Sequence, residues 1–274
     1  MTDDTIDNTL VDITFNDGVA DVRLNRPDKC NALNPALFGA IIAAGERLAQ
    51  QADLRAVVLS GNGKAFCAGL DIQSMAALAQ IAREIPITER THGLSNAAQY
   101  ICTLWRELPV PVIAAVHGVA FGGGLQLALG ADLRYVAPDA RLSVMEMKWG
   151  LVPDMGGMVL TRDLVRADHL RELVYTARIV SAAEAVELGL ATRVADDPHA
   201  LALATAREIA QKNPDAIRAA KRLFNTAARG DTAATLLAES VEQKALIGSA
   251  NQIEAVWANL EKRAPRFAPA SVPE

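Results

Sequence analysis

Apolar and polar positions alternate in two short stretches near the start of the chain, Leu10–Phe15 and Val19–Leu24, on either side of Asn16-Asp17-Gly18. A period of two around an Asp-Gly turn predicts a β-hairpin. From Pro35 to Gln51 the apolar positions recur at helical spacing, with Asn34 placed to cap the helix and Pro35 at its first position. Ala56–Leu59 is a short apolar run ended by Ser60-Gly61-Asn62-Gly63 and reads as a buried strand. Strand and helix go on alternating through Val112–His117, Leu125–Leu129 and Leu133–Val136. That order predicts an α/β architecture with largely parallel strands. Met75–Leu94 contains Pro86 and scattered charge, follows neither period, and is expected to be a helix-loop covering a site. From Ser181 onward the chain is rich in Ala and helix formers, with Leu190–Val194 the last strand candidate. Pro214 opens one late helix and Gly230-Asp231 separates it from the next. No internal repeat is visible in the sequence.

Composition narrows the classes. A chain of 274 residues accommodates one large domain, or a domain with an appendage. Its net charge of −5, with no long basic run, argues against a nucleic-acid partner. No stretch of about 20 apolar residues is present, so no membrane span is expected. The acidic start, Met1-Thr2-Asp3-Asp4, has no apolar core of the kind a signal or transit peptide needs, and a cytoplasmic location is expected. Cys30, Cys67 and Cys102 are odd in number and, like His92, His169 and His199, lack metal-ligand spacing. Reduced thiols and no metal site are the expectation.

Chemistry concentrates in two segments, Ala65-Phe66-Cys67-Ala68-Gly69-Leu70-Asp71 and Phe121-Gly122-Gly123-Gly124-Leu125-Gln126. Each follows a strand-like run and opens what reads as a helix. Together they can aim two backbone N–H groups at one carbonyl oxygen, the arrangement that stabilises an oxyanion or enolate. With Leu24-Asn25-Arg26-Pro27, Asn31-Ala32-Leu33-Asn34 and Pro111–Gly118, these segments follow in order the motifs of the crotonase (enoyl-CoA hydratase/isomerase) superfamily, which the chain resembles from about residue 10 to about 195.

The resemblance implies a crotonase-type spiral of repeated ββα turns over residues 1–200, which carries acyl-CoA binding and catalysis. It also implies a helical region over 201–274 that packs subunits into a homotrimer or hexamer. It assigns the two oxyanion-hole N–H groups to Leu70 and Gly123. Arg26 would contact CoA phosphates, and backbone groups of Ala65, Ala68, Asp71 and Ile72 would hold the adenine end and the pantetheine arm. CoA would enter as part of the substrate, and no separate cofactor is implied. Hydratases of the superfamily place carboxylates at the positions of Gln126 and Glu146, and an amide cannot carry a proton at neutral pH. Dienoyl-CoA isomerases of the superfamily place Asp at the position of Asp154, where it works with the equivalent of Glu146. Dehalogenases of the superfamily also have that Asp but lack the Glu.

Glu146, Asp154 and Gln126 are therefore the candidate catalytic set, and a proton shift that moves a C=C bond is the favoured reaction. Hydration with Glu146 as main acid/base stays open. So does a non-catalytic acyl-CoA-binding subunit, which the Gln at 126 would suit. The bland alternatives are an exposed carboxylate at 146 and a helix N-cap at 154. His117, at the end of an apolar strand, is expected to be a packing residue.

Overall fold

The hairpin forms where the pattern places it. β1 (Val11–Asn16) and β2 (Val19–Leu24) pair antiparallel, with Val11 opposite Leu24. β3 (Ala56–Gly61) and β4 (Val112–Val116) then add in parallel, as apolar strands buried on both faces tend to do. In this computed structural model residues 10–71, 73–74, 87–228 and 230–270 are described. Ile72 and residues 75–86, most of the Met75–Leu94 stretch, lie outside them.

Beyond β4 the chain winds in a repeating way. β4 is followed by β5 (Val119–Phe121), and β6 (Leu133–Val136) by β7 (Arg141–Ser143). The first strand of each pair joins a large sheet and the second joins a small one. β8 (Val180–Ser181) and β9 (Arg193–Val194) complete the two sheets, ordered β1-β2-β3-β4-β6-β9 and β5-β7-β8. Cys67 bridges in parallel to Ala120, which carries the small sheet back to the segment after β3. This is the spiral of ββα turns. β5, β7, β8 and β9 are only two or three residues long, too short to show a period, and Leu190–Val194 shrinks to Arg193–Val194.

Helices cover both faces of the large sheet. α1 (Pro35–Ala49) is capped by Asn34, whose side chain accepts the Leu37 N–H at 2.9 Å. α2 (Ala97–Glu107) starts with a reciprocal capping pair, Asn96 and Gln99. Leu37, Ile41 and Leu48 of α1 meet Ile101 and Trp105 of α2 in the main core. α3 (Gly123–Leu129) is buried along its whole length. Three short helices follow: α4 (Gly157–Thr161), α5 (Ala167–Thr176) and α6 (Ala182–Glu187). α7 (Pro198–Ala210) lays Ala202 and Ala206 against Val58, Ile113 and Ala115 on the opposite face. The division expected between residues 200 and 201 therefore falls inside a helix. The small side chains of α7 let it pack flat on the sheet, so it belongs to the core.

α8 (Pro214–Ala227), α9 (Thr232–Leu246) and α10 (Ala250–Leu260) form the helical end. Lys221 of α8 reaches into the core, where its ammonium donates to the carbonyls of Trp105 and Val110 and to Asp132, at 2.7–2.9 Å. Among the described residues no helix is long and apolar enough to cross a membrane.

Candidate active site

Two backbone segments approach each other where β3 and β5 end. Leu33 donates its N–H to the Gly69 carbonyl at 2.7 Å, and its own carbonyl accepts from Asp71 at 2.8 Å. This bridge uses the residues on either side of Leu70, so the Leu70 N–H faces the other way. Gly69 has φ +88°, and a Cβ there would stand 2.5 Å from the Phe121 carbonyl oxygen and 3.8 Å from the Gly123 nitrogen. Only a glycine permits that approach. Gly123 is the first residue of α3, where N–H groups have no intrahelical partner. Among the described residues neither the Leu70 nor the Gly123 N–H finds an acceptor. Both residues line a cavity of about 590 Å³, whose walls also include Phe121, Met145, Trp149, Leu151 and Met155.

Two carboxyls with no ion pair among the described residues line the same cavity. Glu146 follows β7 and opens a 3₁₀ turn, Glu146–Trp149. Its side chain is buried, and its Oε2 has no hydrogen-bond partner among the described residues. A Cβ on Gly122 would lie 3.2 Å from its Oε1, so this glycine makes room for the carboxyl. Burial pushes Glu146 above the ordinary glutamate range, and the nearby Asp154 charge adds to the rise; hydrogen bonds from backbone and from Gln126 oppose it. Asp154 reaches solvent on one side, yet burial raises it too. It caps nothing: the N-cap of α4 is Gly156, in a left-handed conformation, with no side-chain cap bond. Glu146 is therefore not an exposed carboxylate, and Asp154, although exposed, is not the helix N-cap.

Gln126 is placed differently from a catalytic group. It is 2% exposed and is not among the residues that line the cavity. Its Nε2 donates to Glu146 Oε1 at 2.6 Å, and its Oε1 accepts from the Met155 and Gly157 N–H groups, each at 2.9 Å. It touches an acid without touching the cavity.

The substrate-binding positions divide. Ala68 and Asp71 line the cavity. Ala65 is buried, and its carbonyl is taken by the Asn31 side chain at 2.8 Å. The Arg26 guanidinium turns inward to the Asp71 carboxylate, at 3.2 Å, and to the Ala32 carbonyl, and stays out of the cavity wall. A desolvated cation finds its nearest carboxylate, which is why Arg26 is drawn inside. Lys29 lines the cavity instead.

Asn31 organises this corner and was not singled out in the sequence. Fully buried at φ +54°, it accepts from the Arg26 N–H and donates to the Asn62 and Ala65 carbonyls. The Asn-Ala-Leu-Asn motif was its signal, since Asn tolerates a left-handed backbone and offers both donor and acceptor. His117 binds the Gly63 carbonyl at 3.0 Å, outside the cavity. Cys67 is buried, donates to the Asn31 carbonyl, and is pushed up to about 12 by desolvation, too high for a nucleophile.

A two-sheet spiral around an apolar cavity is the architecture of the crotonase class of acyl-CoA enzymes. The family described as enoyl-CoA hydratase/isomerase matches residues 14–269. The Mycobacterium tuberculosis protein named probable enoyl-CoA hydratase echA8 is 36% identical over 252 residues, spanning 90% of this chain and 93% of its own length. The human mitochondrial Delta(3,5)-Delta(2,4)-dienoyl-CoA isomerase is 38% identical over 214 residues, which span 74% of this chain and 64% of that protein. A crystal structure of enoyl-CoA hydratase from Bacillus anthracis superposes with a TM-score of 0.86 at 30% identity, covering 94% of this chain and 98% of the other. The chain belongs to the enoyl-CoA hydratase/isomerase family.

Proposed function

We propose that this enzyme shifts a C=C bond along the acyl chain of an enoyl- or dienoyl-CoA without adding water. The observation that carries this reading is that Glu146 and Asp154, both raised by burial and neither ion-paired among the described residues, share one apolar cavity. The third carboxyl there, Asp71, is committed to Arg26.

The thioester oxygen would lie between the Leu70 and Gly123 N–H groups, whose preorganised dipoles stabilise the charge as an enolate forms. Glu146 sits against Gly122, beside one of those donors, and so adjoins the α-carbon. As carboxylate it takes the C2 proton, and the C2–H electron pair passes into the dienolate. Asp154, as acid, returns a proton at C4 of a 3-enoyl chain or at C6 of a 3,5-dienoyl chain, and the double bond moves toward the thioester. The pair then holds one proton on Glu146 and none on Asp154. Transfer back through the solvent-touched Asp154 restores the starting state. Raised pKa values suit both groups to exchange protons near neutral pH. The Ala68 and Asp71 segment would hold the CoA arm, with Lys29 as a cation for its phosphates.

Hydration is the second reading, and the Glu146 carboxyl facing the cavity supports it. It needs a second group to hold the water, however, and the polar atoms of Gln126 are engaged by Glu146 and by backbone.

Steady-state turnover of 2-enoyl-CoA against 3-enoyl- and 3,5-dienoyl-CoA tests the proposal. Isomerisation faster than hydration is expected, and efficient hydration without isomerisation reverses it. Glu146→Gln should lower turnover by about 10²–10⁴ with KM little changed. A variant that turns over as fast as the parent would remove Glu146 from the chemistry, and a parent inactive on all three substrates would point to a non-catalytic binding subunit.

A further inference from the structure

The Gln126 amide has only one workable orientation. Its oxygen faces two backbone N–H donors, those of Met155 and Gly157, each at 2.9 Å. Rotating the amide by half a turn would set NH₂ against both donors. Nε2 must therefore point at Glu146 Oε1, 2.6 Å away, and that oxygen must accept. A proton on Oε1 would compete with this bond. When Glu146 is neutral, its proton belongs on Oε2, the oxygen with no partner among the described residues.

The same side chain reaches the second acid. Met155 follows Asp154 directly, and Gly157 opens the helix beyond the turn. One amide group thus touches the Glu146 carboxyl and both ends of the short segment after Asp154. Packing at this point is close: a Cβ on Gly157 would lie 2.7 Å from Gln126 Oε1.

We infer that Gln126 is a positioning residue of fixed polarity, which makes Oε2 the only proton-exchanging oxygen of Glu146 and sets the spacing between that oxygen and Asp154. This deepens the proposed function and rests on its assignment of Glu146 and Asp154 as proton carriers. Gln126 itself exchanges no proton and meets no substrate. It acts through the oxygen it occupies and the turn it holds.

Gln126→Glu keeps size and shape, and one carboxylate oxygen can still accept from Met155 and Gly157. The other oxygen then opposes Glu146 Oε1 at hydrogen-bonding distance. Two carboxyls so close cannot both ionise and must share a proton. The groups facing them are Asp154 from the following turn, the buried Cys102 thiol of α2 and the Met145 and Glu146 backbone N–H groups, with no cation in direct contact among the described residues.

The test follows kcat and KM against pH for the parent and Gln126→Glu, on whichever reaction the parent runs fastest. Thermal unfolding of both proteins is measured alongside. For Gln126→Glu the acidic limb of the kcat profile should move up by one pH unit or more. Turnover at neutral pH should fall at least tenfold, while KM stays within about threefold. A fall in turnover with an unmoved acidic limb overturns the inference and leaves Gln126 a packing residue, as does an unchanged kcat. Gln126→Met, of similar length but with no donor and weak acceptor capacity, removes a bond that holds Glu146 down and should lower kcat while moving the limb up by clearly less than Gln126→Glu does. If both variants shift the limb alike, the effect is not one of polarity and the inference fails. Absence of isomerisation in the parent counts against the proposed function, whereas the limb comparison bears on Gln126 alone. Should the parent show no turnover, infrared titration of isotope-labelled glutamate carboxyls reads the same shift. An unmoved carboxyl titration then overturns it.

Discussion

Glu146 is held 8% exposed, with one oxygen bonded and the other bare. A carboxylate in that condition has lost hydration that the Gln126 amide and the nearby backbone donors do not replace, so folding favours its protonated form. The sign for stability follows. Between the ordinary carboxylate range, about 4.3, and the raised native value, the folded state binds more protons than the unfolded chain. Stability contributed by this group is complete below that window and is lost as pH rises through it. Glu146→Gln keeps an acceptor for Gln126 Nε2 and removes the charge. Its melting temperature at pH 7 should exceed the parent's. The gain should shrink toward zero as pH is lowered to about 4, followed by calorimetry across pH. An enzyme that loses turnover and gains stability on one substitution is expected where a strained group serves chemistry. The spacing of motifs made Glu146 and Asp154 visible in the sequence. It did not reveal which way the Gln126 amide points, because that depends on backbone N–H groups 29 and 31 residues away.

At the scale of elements, the site depends on how closely two loops approach, and Gly69 sets that distance. An alanine there would meet the Phe121 carbonyl oxygen at 2.5 Å and must also hold φ near +88°. Gly69→Ala should cost about 1–3 kcal/mol of stability. By displacing the Leu70 N–H from the Gly123 N–H it should lower kcat/KM by about 10²–10³, the worth of one oxyanion donor. Circular dichroism melts and steady-state rates check the two numbers separately. A stable variant with full activity would show that the amide pair is not the electrostatic device. The elements themselves were legible in proportion to their own signals. α1 starts at Pro35, where the Asn34 cap predicted, and β1 is shifted by one residue from the expected Leu10–Phe15. β5 and β7 carry no period of their own, since a three-residue strand is defined by the neighbour it pairs with. They lie 22 residues from each other, and β7 lies 38–40 from its other partner, β8, beyond the reach of local pattern.

Over the whole molecule, burial is uneven in a way that points outward. The sheets and α1 to α3 form a closed core, whereas α9 contains no buried residue at all. Leu236, Leu237 and Val241 of α9 face solvent, as do Phe224 of α8 and Trp257 and Leu260 of α10, all six more than half exposed. A lone chain seldom leaves so large an apolar surface bare. The helices are not loose, for Lys221 anchors α8 to the core and Arg222 holds α9 through Glu242, with two bonds of 2.6 Å. A rigid apolar surface on an anchored support is suited to a partner that presents the same surface. We propose that these helices join copies of the chain into a homotrimer, or two trimers into a hexamer. Light scattering at micromolar concentration should give about three or six times the chain mass of 29.1 kDa. Leu237→Glu with Leu260→Glu, both on exposed positions and so harmless to the isolated fold, should reduce that mass while leaving far-ultraviolet circular dichroism unchanged. A parent that scatters as a single chain removes the proposal, because its apolar helical end would then be shown to tolerate water. A parent that assembles but resists both charges would place the contact elsewhere, with the exposed Trp149 and Val152 of the cavity wall and Met158 and Val159 of α4 the next positions to charge.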